Sequence, residues 1–397
     1  MIAGLAADVP TAQDIAQAMD VQSLDRTGKP YIAIVVGDAL QGSQVANSLM
    51  SFYRFAQYQD MSRAMAGCRA HRPRLALVSE VLSTGSGFDF VRMLRLDANL
   101  RSVPVVMIVA NDDKATSDRV AQCGAESCLV TPYMRGALIT TISRLLNGHT
   151  ERGWKVLPGI PRRALTDTLE LFNGLANVIG SGEPIRYEAV SDACGLLVEA
   201  VANNDFRAML NGVRDHDNYS YAHSLRVATY LALFGYNLGL PKDEQILLAS
   251  GGLLHDVGKM SIPHEVLNKA GRLNAAELKV MKGHVTASVD YLKGCPDLPK
   301  GIITIAAQHH EKLDGTGYPH GLAGSRLNRL ARMASIIDVF SALTDRRVYK
   351  EPMEAEAALN LMRNGMGSHL DIQLLGLFRQ MLLDASREMP RAIPELV

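Results

Sequence analysis

His255-Asp256-Val257-Gly258-Lys259 follows the apolar stretch Ile246–Leu254, and its reading decides the class of the C-terminal half. Adjacent side chains do not share one helical face, yet both reach an ion placed at a helix end. A carboxylate has two oxygens and can bridge two ions. Lys259 stands three residues after Asp256, on a neighbouring face of the same turn, where its charge suits a bound phosphate. Taken alone, the pentapeptide reads better as an ordinary helix C-terminus, with His and Lys favourable to the dipole and Gly258 ending it. Its neighbours in the chain have to decide.

Downstream, His309-His310-Glu311-Lys312-Leu313-Asp314 runs into Gly315-Thr316-Gly317-Tyr318-Pro319. Glycine permits positive φ and proline fixes its own, so the second half is a specifically shaped turn. Beside two histidines that turn reads as the rim of a site. His223, His284 and Asp338 sit in stretches of helical spacing. A carboxylate inside the apolar Met333–Leu343 is costly unless it meets a charge or an ion. Eight of the 11 histidines fall between His216 and His320. Five of them, with Asp256 and Asp338, are spread over five helical segments, and helical bundles assemble two-ion sites from such inward side chains. His216, His264 and His320 need no such reading.

The chain has 397 residues, which at ~150 per domain suggests two or three domains. Lys+Arg and Asp+Glu each number 41, so there is no net charge to favour a nucleic-acid polymer or a membrane surface as partner. No apolar run approaches the ~20 residues of a membrane span. The start, Met1–Ala7, lacks the features of a secretion signal. The five cysteines are scattered with no CxxC pair, so a reduced cytoplasm is the simplest reading.

Residues 1–29 read as an N-terminal extension. Tyr31–Val36, Leu75–Val78, Val103–Val109 and Ser127–Val130 are short, nearly continuous apolar runs, as in strands buried on both faces. Helical spacing separates them at about 41–70, 87–98, 113–123 and 134–147, which predicts a parallel sheet wrapped by helices over 30–148. Gly153, Pro158 and Gly159 mark a boundary within a linker and helical region, 149–204. Beyond it the strand signal vanishes. Helices are expected at 162–180, 184–203, 205–214, 220–239, 242–256, 274–293, 299–310, 327–346, 354–364 and 371–385, an all-α bundle.

Taken in order, Tyr219-Ser-Tyr-Ala-His223, His255–Lys259, Ile262–Gly271, His284, His309 through Pro319, and Asp338 with Ala342–Lys350 resemble the HD-GYP family of cyclic-dinucleotide phosphodiesterases, a branch of the HD metal-dependent phosphohydrolases. The resemblance covers about 205–390. It implies one ion on His223, His255, Asp256 and Asp338, and a second on His284, His309, His310 and the shared Asp256. Two divalent ions are thus the expected cofactors. Iron or manganese is favoured by the resemblance, and nickel and zinc suit the same ligands. His255, Asp256 and Lys259 would carry the catalysis. Lys259, Arg347, Lys350, Tyr318 and Pro319 would contact the substrate, cyclic di-GMP, which is cut to pGpG and in some members on to GMP. The Gly-Tyr-Pro loop is also the expected docking point for a diguanylate cyclase or another signalling protein.

Two positions depart from the family. Some members hold a third metal with a Glu four residues before the first histidine; here that position is Tyr219, a poor ligand, so two ions are expected. The family usually has a second Asp after Asp338; here it is Ser341, which removes a carboxylate from the neighbourhood of the ions.

The α/β unit resembles a response-regulator receiver, with Thr131-Pro132-Tyr133 at the end of its last strand. The acidic pair, phosphoacceptor, hydroxyl and lysine of a receiver fall at Gly37-Asp38, Ser79, Val109 and Thr131, so only Asp38 survives. A pseudo-receiver results, not phosphorylated and suited to dimerisation, sensing or docking. An alternative to the enzyme is a cyclic-dinucleotide-binding protein of weak or no turnover that acts through partners; another is a phosphodiesterase for a different 3′,3′-cyclic dinucleotide.

Overall fold

The alternation of apolar residues along Tyr31–Val36 settles how the first half packs. Ile32 and Ile34 join one core with Leu75, Leu77, Val106 and Ile108, while Ala33 and Val35 join another with Ala76, Val78, Val105 and Met107. A strand that serves two cores has no polar face, which is why its sequence is a continuous apolar run.

The structure is a computed structural model that describes residues 31–49, 52–214, 216, 218–267, 269, 271–345 and 352–387. The expected N-terminal extension lies outside them. Two compact units are present, one up to Gly148 and the other built mainly from His149 onward, and each is described by itself.

In the first unit β1 (Ile32–Val35), β2 (Phe55–Tyr58), β3 (Leu75–Ser79), β4 (Val105–Val109) and β5 (Ser127–Val130) form one parallel sheet in the order β2-β1-β3-β4-β5. Ile32 pairs with both Phe55 and Leu75. This is the flavodoxin-like order. Helices α1 (Ala39–Leu49) and α5 (Arg135–Gly153) cover one face; α2 (Met61–Ala70), α3 (Gly87–Leu96) and α4 (Lys114–Cys123) cover the other. Caps define their ends: Asp60 accepts from Arg63 N, Asp113 accepts from Thr116 N, and Gly124 closes α4 in the left-handed region.

One expectation fails within this unit. The segment 41–70, read as helical throughout, is α1, then β2, then α2. β2 is only four residues long, lies at the sheet edge, and carries the half-buried Gln57 in its middle. So short a run shows no clean period. The boundary region also holds more helix than its Gly and Pro content suggests. α5 continues to Gly153, and α6 (Gly159–Ser181) begins just after Pro158.

The second unit is helical: α6, α7 (Tyr187–Ala202), α8 (Phe206–Gly212), α9 (Tyr219–Asn237), α10 (Lys242–Leu254), α11 (Ala275–Lys293), α12 (Lys300–Gln308), α13 (Arg329–Thr344), α14 (Ala355–Gly365) and α15 (Ile372–Arg387). α9 packs along α10, α10 against α7 and α12, and α13 against α9 and α12. Asn274 and Glu277 close a reciprocal capping box on α11, and Asn218 caps α9. None of the described helices is long and apolar enough to cross a membrane.

Candidate metal centre

The helix carrying the His-Asp pair stops one residue before it. α10 ends at Leu254, His255 is its C-cap, and Asp256 leaves the helical region at φ −109°, ψ 15°, into a tight turn over Val257–Ser261. That change of direction lets both neighbouring side chains point the same way. Gly258 permits the turn to lie on α11: a Cβ there would sit 2.1 Å from His284 O. Its N–H donates to Ser288 Oγ at 2.8 Å. Gly258 therefore serves a close approach between segments.

Seven side chains converge. The donor atoms of His223, His255, Asp256 and Asp338 all lie within 4.8 Å of one another, and so do those of Asp256, His284, His309 and His310. Six of the seven are buried and His310 is half-buried. Asp256 belongs to both groups: Oδ2 approaches His255 Nε2 at 3.0 Å and Oδ1 approaches His284 Nε2 at 3.1 Å. Asp338 Oδ1 lies 3.0 Å from His223 Nε2.

The far sides of the rings are tied down. Nδ1 of His255 lies 2.8 Å from Gly252 O, that of His284 2.6 Å from Met281 O, and that of His309 3.0 Å from Ala306 O. Donation from Nδ1–H to these carbonyls puts the lone pair on Nε2. The Nε2 atoms of all three rings and Asp256 Oδ1 are buried without a hydrogen bond. Buried polar atoms without partners are rare, and convergent ones fit divalent cations.

Charge follows the same geometry. Burial opposes ionisation of Asp256, but His255 and Lys259 outweigh it and hold the carboxyl well below its usual range. Burial likewise opposes charge on Asp338, and His223 and the other rings overcome it. Burial, then His309 beside it, keeps His310 neutral. Lys259 Nζ lies 2.5 Å from Asp256 Oδ2.

The loop after His310 forms one wall. Tyr318 stacks on His310 with centroids 4.8 Å apart, and Lys282 Nζ lies 4.9 Å from the Tyr318 ring centre. Burial, then Asp256 and Asp338, pushes the phenol pKa up, so Tyr318 stays neutral. Pro319 follows across a cis peptide bond. Glu311, to which the sequence reading gave no role, is buried and accepts from His320 N at 2.7 Å and Leu322 N at 2.9 Å. It fixes the far end of the loop. Asp345, which carries no functional mark in the sequence, is buried and contacts His223 Nδ1 at 3.2 Å. Tyr219 stacks on His223, and Ser341 Oγ is buried without a hydrogen bond. Arg347 and Lys350 lie outside the described residues.

In the first unit the receiver positions are otherwise engaged. Asp38 Oδ1 accepts from Leu40 N at 2.7 Å and Gln41 N at 3.2 Å, which caps α1. Ser79 Oγ bonds Gln41 Oε1 at 3.1 Å, and Thr131 Oγ1 donates to Val109 O at 3.2 Å. Glu80 pairs with Arg119 at 2.9 Å.

Comparison with known proteins shows what this part of the chain is similar to. Residues 207–374 match the family model described as HD domain. A cyclic di-GMP phosphodiesterase of Pseudomonas aeruginosa is 36% identical over 173 residues, 43% of this chain and 42% of that protein. The cyclic di-GMP phosphodiesterase response regulator RpfG of Xanthomonas campestris is 29% identical over 304 residues, 76% of this chain and 74% of that protein. The 3′3′-cGAMP-specific phosphodiesterase 3 of Vibrio cholerae is 32% identical over 164 residues, 41% of this chain and 35% of that protein. The chain thus spans less than half of two of these three relatives. The similarity to the HD domain family model is confined to residues 207–374.

Proposed function

We propose that the chain is a metal-dependent phosphodiesterase that hydrolyses cyclic di-GMP to pGpG, with GMP as the product of a second cut. The observation that carries this reading is the pair of donor clusters joined at Asp256. His223, His255, Asp256 and Asp338 hold one divalent ion; His284, His309, His310 and Asp256 hold the other. Mixed imidazole and carboxylate donors suit iron or manganese. When bound, such a pair supplies charge to the phosphoryl oxygens and lowers the pKa of water.

The side chains do the rest. Nδ1–H bonds to backbone carbonyls hold three rings with Nε2 inward, so little rearrangement accompanies binding. Lys259 brings an ammonium to a non-bridging phosphate oxygen from its place on Asp256. Tyr318 offers a neutral hydroxyl and Pro319 an apolar edge to the nucleotide. Arg347 and Lys350 complete the phosphate contacts. Tyr219, stacked on His223, leaves no carboxylate there for a third ion. The first unit, with Ser79 at the phosphoacceptor position, acts as a non-phosphorylated pseudo-receiver for dimerisation or partner docking.

A second substrate, 3′,3′-cGAMP, is favoured by the Vibrio relative whose name carries that specificity. The purified chain with iron or manganese retained, offered each dinucleotide in turn, decides by chromatography of the linear products. His255→Ala and Asp256→Ala serve as controls. Cyclic di-GMP is expected to be cut faster. Faster cleavage of 3′,3′-cGAMP moves the substrate assignment, and no product above the controls from either leaves the binding-protein reading in its place.

A further inference from the structure

Four of the site's imidazoles are oriented through Nδ1, but not alike. His255, His284 and His309 each use a carbonyl of their own helical turn. His223 instead meets a carboxylate 122 residues away in the chain, with Nδ1 3.2 Å from Asp345 Oδ2. Asp345 is buried, and its other oxygen, Oδ1, pairs with Arg226 from one turn further along α9. Its N–H donates to Ser341 O at 2.8 Å as the chain leaves α13. Ser341 presents only a buried hydroxyl without a partner. The anionic group that the serine removes thus reappears four residues later.

We propose that Asp345 is a positioning residue: it holds His223 with Nε2 toward the first ion and strengthens that one ligand, replacing the carboxylate missing at 341. The proposal rests on the metal-centre reading above. A carboxylate behind a histidine ligand fixes its tautomer and raises its basicity, and loss of such a partner weakens metal affinity ~10–100-fold. Arg226 in turn pairs with the other carboxylate oxygen and aims it. His223 belongs to only one donor cluster, so the effect is confined to one of two ions.

The test titrates Mn²⁺ into the chelator-treated full chain against a competing indicator, with elemental analysis for stoichiometry. Asp345→Asn keeps the size and one acceptor but removes the charge. Asp345→Ala removes both, and circular dichroism checks that each variant is folded. The wild type is expected to bind two ions in two phases. In the variants one phase weakens ~10–100-fold, more for Ala than for Asn, while the other stays in place. A purely structural role would lower thermal stability without separating the phases. Wild type with two phases, and variants that leave both unchanged or shift both equally, overturn the role of Asp345 alone. Wild type that binds no ion overturns the metal centre and this proposal together. If only Asn folds, its phase shift decides.

Discussion

His255 and Asp256, adjacent in the chain, meet through their side chains: Nε2 of one lies 3.0 Å from Oδ2 of the other. A continuing helix would splay them about 100° apart. The end of α10 at Leu254 and the turn that follows bring them together, and Asp256 then faces His284 with its other oxygen. Asp256 is accordingly the residue that both donor clusters share.

Asp256→Ala is expected to abolish both sites at once, whereas His223→Ala and His284→Ala each remove one. Elemental analysis of the purified variants should fall from two ions per chain towards none for Asp256→Ala and towards one for the others. Turnover should drop more than ~100-fold for Asp256→Ala, beyond the usual effect of a residue behind a ligand. Two ions retained in a folded Asp256→Ala chain would remove the shared-ligand assignment.

The loop wall makes a separable prediction. A Cβ on Gly317 would come 2.4 Å from Lys312 N and 2.5 Å from Glu311 Cα, both backbone. Gly317→Ala must therefore displace the loop that carries Tyr318. Glu311→Ala strips two backbone N–H groups of their buried acceptor, a loss of about 3 kcal/mol. Both variants should raise KM for the dinucleotide about tenfold or more while ion content stays at the wild-type value. A loss of ions with an unchanged KM would place the loop's role at the metals instead.

Part of this site is legible in the sequence because His255, Asp256, His309 and His310 stand at helix ends and Asp338 is a carboxylate in an apolar helix, whereas His223 and His284, inside mixed helices, carry no such mark. Asp338 is the clearest, since a carboxylate in Met333–Leu343 demands a partner and finds His223. Residues that act through backbone groups or through distant partners leave no such mark. Glu311 looks like one more charge in a polar loop, and Asp345 like part of a basic run. Only folding brings Asp345 to His223. β2 escapes for a different reason: four residues at a sheet edge carry too little period to separate from the helices beside them.

Chelation exposes a pH dependence. In the metal-free chain burial disfavours the charge on His223, but Asp338 and Asp345 outweigh it and raise its pKa to about 9. The folded value lies above the unfolded one, so the stabilisation is complete below about pH 6.5 and is lost as pH rises through 9. It amounts to at most about 3 kcal/mol, or roughly 6–12 °C in Tm for a domain of this size. A bound ion requires the neutral ring, so loading should remove the dependence. Calorimetry from pH 6 to 10, with and without chelator, should show Tm falling only in the chelated sample. Parallel curves would rule out a protonated His223 in the empty site.

The first unit yields the last prediction. Asp38 is occupied as the cap of α1, accepting from Leu40 N and Gln41 N, and the strand end at Ser79 offers a hydroxyl bonded to Gln41. A serine there has no carboxylate to form an acyl phosphate. Incubation with acetyl phosphate and Mg²⁺ should leave the intact mass of the chain unchanged. Asp38→Ala should lower stability by about 1 kcal/mol, the usual effect of losing an N-cap, without altering dinucleotide turnover. Ser79→Asp restores the acceptor but not the lysine, since Thr131 holds that position with its hydroxyl on Val109 O. It too should stay unmodified. An 80 Da gain on the wild-type chain that vanishes in Asp38→Ala would mean that this unit still carries phosphoryl chemistry, through the one acid that remains.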